Sequence, residues 1–159
     1  MSYRRVILAG LIASIVMGMW EMVAEQVAGG NGFWAPVTYI AATVLRDYQE
    51  VAAPASFALL PVVLGLMAHM MNSVVLGVIF AQFAPRLTSS FNRLVGFGAA
   101  YGVVVFFIMW FVVLPIANPV MLRLSFPFFL LGHVMWGTSL GVAFGWMPNP
   151  QPQLGSTAA

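Results

Sequence analysis

A chain of 159 residues in which 62% are hydrophobic and 6% are charged cannot clothe a water-facing surface, since soluble domains carry roughly 25% charged residues. Its basic residues are all Arg and its formal net charge is only +2, which is no footprint for nucleic acid. The absence of Cys removes disulfides, thiolate metal sites and cysteine nucleophiles, and leaves His, carboxylate and Met as the only possible metal ligands.

The first apolar run, Val6 to Ala28, follows Arg4 and Arg5 and contains Glu21 and Glu25. It is too long and too polar for the 7–15-residue apolar region of a secretory signal, and it reads as a retained membrane helix. Phe57 to Ala84, Leu94 to Leu114 and Phe126 to Met147 also reach the ~20 residues that cross a hydrocarbon core. The pattern predicts a single all-α domain, residues 1–147, built as a four-helix transmembrane bundle in contact with lipid. Residues 148–159, with Pro148, Pro150 and Pro152, read as a disordered tail.

Arg4, Arg5, Arg86 and Arg93 fall on one side of the bundle, and Arg46 and Arg123 on the other with Asp47 and Glu50. The positive-inside bias places both termini in the cytoplasm. In the first outer loop, Gly29, Gly30, Asn31 and Gly32 precede the aromatic pair Phe33 and Trp34. From Pro36 to Val51 apolar residues recur at helical spacing, with Thr43, Arg46, Asp47, Gln49 and Glu50 on the other face. That pattern predicts an interfacial amphipathic helix over residues 36–51, either a connector or a lid over the bundle. Asn118 and Pro119 read as structure, closing helix three and the short outer loop.

His69 to Ala81 and His133 to Gly145 share six identities in thirteen positions, and Met19 and Trp20 match Met109 and Trp110. These matches predict a two-helix unit used twice, as parallel repeats about an axis normal to the membrane.

Glu21, Glu25, His69 and His133 are the titratable groups inside the spans, where such residues face the bundle interior and find partners. At 1.5 Å per residue, Glu21 lies ~24 Å from Arg5, His69 ~25 Å from Arg86, Trp110 ~25 Å from Arg93 and His133 ~22 Å from Pro148. The spacing predicts one polar layer in the outer half, with Glu21, His69, Asn72, Trp110, His133 and Trp136 forming a pocket. Below it, Gly10, Ser14, Gly18, Ser73, Gly77, Gly98, Gly102, Gly137 and Gly141 form small-residue stripes that let backbones approach closely.

Three functions compete for that layer. A pocket built by Glu21, His69, Trp110 and His133 that binds or conducts a small cation, proton or cofactor leads, with no catalytic residue. A b-type haem subunit of a redox complex, with His69 and His133 as axial ligands, is the alternative; Glu21, Glu25 and the histidines also offer ligands to a divalent ion, and the Met residues near His69 and His133 offer soft ligands to copper. The third reading is a non-catalytic accessory or scaffold subunit in a homo-oligomer or larger membrane complex. Hydrolysis is disfavoured, because no Ser stands in a nucleophile-elbow context.

GFWAPVTYIAA at Gly32 to Ala42, the segment Tyr101 to Pro119 with its L-P-x-x-N-P ending, and HVMWGTSLG at His133 to Gly141 together resemble a family of small uncharacterised four-helix bacterial inner-membrane proteins. The resemblance spans most of the chain. It implies the four-helix topology and the bacterial inner membrane, and carries no substrate or reaction.

Overall fold

Backbone N–H and C=O groups in runs this apolar have few outside partners, and a helix satisfies them within the segment. The computed structural model describes residues 3–146, which are helix and turn with no strand among them. The elements are α1 (Tyr3–Ala24), α2 (Ala35–Ala41), α3 (Leu59–Leu87), α4 (Phe91–Ile108), α5 (Leu114–Ala117) and α6 (Phe126–Trp146). α1 continues through a π-helical turn, Glu25–Gly29, and another, Met109–Val113, joins α4 to α5. Counting these extensions, four helices are long and apolar enough to cross a membrane: Tyr3–Gly29, Leu59–Ala84, Phe91–Ala117 and Phe126–Trp146.

Both π-helical turns have local causes. Pro115 has no N–H and would crowd the carbonyl of Phe111, and the widened turn ahead of it absorbs that conflict. The first turn ends where Gly30 adopts φ 79° and its N–H returns to the Glu25 carbonyl, a left-handed cap that glycine takes at least cost. The two turns do not coincide under the Met19–Met109 alignment, so they are not copies of one feature.

α1 and α6 are the central staves. They run antiparallel: Arg5 donates to the Phe144 carbonyl, and Trp20 Nε1 donates to the Phe128 carbonyl at 3.0 Å. α1 packs on its other side against α3, where a Cβ on Gly10 would stand 2.8 Å from Val74 Cα. α6 packs on its other side against α4 along Gly98, Gly102, Gly137 and Gly141, which meet backbone to backbone. The stripes of small residues are therefore contact seams, as their spacing predicts.

α3 and α4 are successive helices joined by a short turn, yet they meet chiefly around one side chain. The Tyr101 hydroxyl donates to the Leu76 carbonyl at 3.0 Å, and its ring packs against Phe80 and Phe83. Outward from the bundle, Ile7, Ile12, Met67, Met71, Phe107 and Phe111 leave large apolar side chains exposed. An apolar surface of that extent belongs against a membrane or a partner rather than water.

The segment after α1 departs from the expected helix over 36–51. It is helical over Ala35–Ala41 and again as a 3₁₀ turn at Arg46–Glu50. Its helical opening also lacks a polar face: Pro36, Val37, Thr38 and Tyr39 are all buried in succession, because α2 is wedged against α3. Val37 O sits so close to Gly65 that any side chain there would collide. The remaining boundaries differ by a turn or less at most ends, with α3 beginning at Leu59 rather than Phe57 and the third span running from Phe91 to Ala117 rather than Leu94 to Leu114. The expected tail, 148–159, lies outside the described residues.

A hydrogen-bonded clasp ties the first long loop to the turn between α5 and α6. Glu25, fully buried, accepts from Asn31 Nδ2 and from the Ser125 N–H, both at 2.7 Å. Asn118 Nδ2 donates to the Tyr39 carbonyl at 2.8 Å and to Thr43 Oγ1 at 2.9 Å, and Gln49 Nε2 donates to Asn118 Oδ1 at 2.5 Å. Arg46 and Arg123 close the edge by donating to the carbonyls of Ala117 and Val51. Burial pushes the Tyr39 phenol above its ordinary pKa, against the opposing influence of Arg123.

Candidate functional site

Between α1, α3, α4 and α6, on the side of the clasp, lies a cavity of about 300 Å³. Its walls include Met17, Gly18 and Glu21 from α1, His69, Asn72, Ser73 and Val75 from α3, Val105 from α4, Met109 and Val113 from the turn after it, and Phe129, His133 and Trp136 from α6. Pro36, Val37 and Ile40 of α2, with Met121 and Leu124, also border it, so α2 has the position of a cover.

Glu21 is 3% exposed, and among the described residues neither of its carboxyl oxygens has a hydrogen-bond partner. Its Oε1 lies against Gly132, where a Cβ would overlap it; only glycine leaves room for the carboxyl between α1 and α6. An isolated carboxylate in such surroundings is very costly, so this group needs a proton or a cation.

His69 and His133 line the same cavity but each has one nitrogen engaged. His69 Nε2 is 3.0 Å from the Ser14 carbonyl and His133 Nδ1 is 2.8 Å from the Phe129 carbonyl. A carbonyl only accepts, so those nitrogens carry the protons, and each ring keeps its other nitrogen as a lone-pair acceptor. The His133 ring is further held edge to face by Phe129 and Phe106. Ser73 links three helices, donating to the Gly10 carbonyl at 2.6 Å and accepting from Trp136 Nε1 at 2.7 Å. Ser73 thus bridges rather than merely fills its stripe.

Of the residues expected in one polar layer, Glu21, His69, Asn72, His133 and Trp136 border the cavity. Asn72 does so from an exposed position at its edge. Trp110 does not: it packs on Phe106, Phe126 and Phe129, because it follows Phe106 by one helical turn, whereas Met109 continues the line of Gly98, Gly102 and Val105 toward the cavity. Glu25 is also outside the cavity, since one helical turn beyond Glu21 it is saturated by the clasp. Neither Met109 nor α2 was expected as a border; helical spacing from Gly98, Gly102 and Val105 was the available signal for the first.

Among the described residues no three of His, Cys, Asp or Glu converge closely enough to hold a metal ion. The cavity volume is at the low end for drug-sized ligands. A cavity of that size leaves little room for a porphyrin between the two imidazoles, and the His and Glu side chains alone assemble no multi-ligand metal site among the described residues.

Alanine at Gly132 is expected to drive the Glu21 carboxyl out of its slot. The readout is the infrared C=O stretch of the Glu21 carboxylic acid, identified by its absence in Glu21→Gln, which should shift in Gly132→Ala while the helical content measured by circular dichroism stays unchanged.

Comparison with protein-family models, with curated proteins and with solved structures finds no match to this chain.

Proposed function

We propose that this chain is a multi-pass protein of a bacterial inner membrane, with both termini cytoplasmic, whose cavity binds a proton or a small cation at Glu21. The arginine distribution supports the orientation, and the four long apolar helices support the membrane. The packing of α1 on α3 and of α4 on α6 along small residues supports a twice-used helix pair. The observation that carries the function is the buried, unpartnered carboxyl of Glu21, a residue on the cavity wall. Intramembrane acids of this kind mark ion and proton pathways, and nothing else in the cavity requires an acid.

A protonated carboxyl is neutral and tolerable at this depth, whereas the ionised form needs a cation beside it. The site therefore alternates between two neutral occupancies, acid with proton and carboxylate with cation.

The test is infrared difference spectroscopy on purified protein in nanodiscs, comparing wild type with Glu21→Gln. One carboxylic-acid C=O band, sensitive to deuterium exchange and missing in the variant, is expected. Identical spectra from the two proteins would remove the proposal. The scaffold reading receives no such specific support, because a carboxyl that only fixed helix register would have partners, as Glu25 does.

A further inference from the structure

We propose that the cation is an organic ammonium with an apolar body, and that it reaches Glu21 sideways through the gap between α3 and α4. The inference rests on the reading of Glu21 as an exchangeable proton and cation site, and adds the chemical class of the ligand and its route.

The class follows from what the cavity offers. A metal cation stripped of water asks for about six oxygen ligands, and here one carboxyl stands nearly alone: the Ser73 hydroxyl is committed to Gly10 and Trp136. An ammonium buried in methyl or methylene groups asks for far less. One carboxylate balances its charge, aromatic faces such as Phe129 and Trp136 attract it, and the thioethers of Met17 and Met109 mould to its body. The exchange balances: the carboxylic acid releases one proton, one monocation takes its place, and the occupied site is neutral before and after.

The route follows from the packing. On the side of the cavity toward the clasp, α2 and the turn bearing Met121 border it. On the opposite side Tyr101 joins α4 to Leu76 of α3. Between these closures the two helices diverge, and the cavity borders there, Asn72, Val75 and Val113, are exposed. In a membrane that opening faces acyl chains, where an amphiphilic amine partitions and where a hydrated metal ion does not go. Asn72 at the rim supplies a polar group at a position otherwise facing hydrocarbon.

The experiment uses full-length protein in nanodiscs and benzyltrimethylammonium as probe, with neopentylbenzene as its uncharged isostere and Na⁺ as the inorganic control. Equilibrium dialysis should show saturable binding of the ammonium alone, weakened at least ~30-fold in Glu21→Gln. In the same samples the Glu21 acid band should vanish as the probe binds. Because the chain has no Cys, Asn72→Cys and Val44→Cys can each carry a bulky maleimide at a unique position, Val44 being exposed on the clasp side and outside the cavity lining. Modification at 72 is expected to slow probe uptake about tenfold or more, as restricted access lowers association rates, while modification at 44 leaves it unchanged.

Equal binding of Na⁺ or of the neutral isostere would overturn the ligand class. Slowing only from position 44, or spontaneous disulfide pairing of two copies through position 72, would overturn the route. If the acid band is present in wild type but indifferent to the probe, this inference fails while the Glu21 site stands; if the band is missing, the site itself fails.

Discussion

Leucine at Gly137 is expected to abolish the stable fold, whereas leucine at Gly96 leaves it intact. The two glycines lie in helices that face each other, but their surroundings are opposite. A Cβ on Gly137 would overlap the Gly98 carbonyl oxygen and stand 2.8 Å from the Gly102 nitrogen, all of it backbone, while a Cβ on Gly96 meets nothing within 4 Å. Ordinary overpacking costs about 1–3 kcal/mol because side chains can shift. At Gly137 only movement of a whole helix makes room, and the same seam runs through Gly102 and Gly141, so the loss should exceed that range. Thermal unfolding in detergent, followed by circular dichroism, checks it: Gly137→Leu should give no cooperative transition, and Gly96→Leu a midpoint within a degree or two of wild type.

Glu25 and Glu21, one helical turn apart, should respond in opposite ways when their charge is removed. Glu25→Ala strips the acceptor from Asn31 Nδ2 and from the Ser125 N–H. The second of these stands at the start of α6, where a helix leaves N–H groups without internal partners and favours negative charge. Leaving buried donors unmet costs about 1–3 kcal/mol each. Asn31 keeps its bond to the Arg123 carbonyl, so a total near 2–4 kcal/mol is expected, with Glu25→Gln intermediate because its amide oxygen can still accept one bond. Glu21→Gln removes no hydrogen bond at all, and should be neutral or stabilising, as is common where a group is kept for function at the expense of stability. Chemical unfolding of the variants in one detergent separates the cases. A destabilisation by Glu21→Gln as large as that by Glu25→Ala would mark Glu21 as a structural residue.

The existence of four long apolar helices was legible because it depends on a sum over twenty residues, which no single contact can reverse. The small-residue seams were legible for a related reason: Gly98, Gly102, Gly137 and Gly141 repeat at helical spacing, and close helix approach needs that spacing. Depth along the axis was also recoverable from rise per residue, and it brought Glu21, His69 and His133 to one cavity. Rotation about the axis was not. Trp110 occupies the right depth but the wrong side, since it stands one helical turn beyond Phe106 and packs with it against Phe126 and Phe129, while Met109, in line with Gly98, Gly102 and Val105, takes the cavity wall. Segment 36–51 misled through composition: alternation of apolar and polar residues suggested one surface helix, whereas the polar side chains Thr43 and Gln49 are spent on Asn118 and the segment breaks after Ala41. Glu25 looked like Glu21 in sequence, because the partner that distinguishes them, Ser125, is a hundred positions away.

The central place of α1 has a consequence for how the molecule is made. As the nascent chain leaves the ribosome, the first helix appears long before the last, and the wall that receives Glu21 is Gly132 of α6. Until α6 is made, this acid has no slot and that face of α1 has no neighbour. The wall around Glu21 is thus completed only when α6 docks, and an earlier intermediate exposes a helix that carries an unburied glutamate.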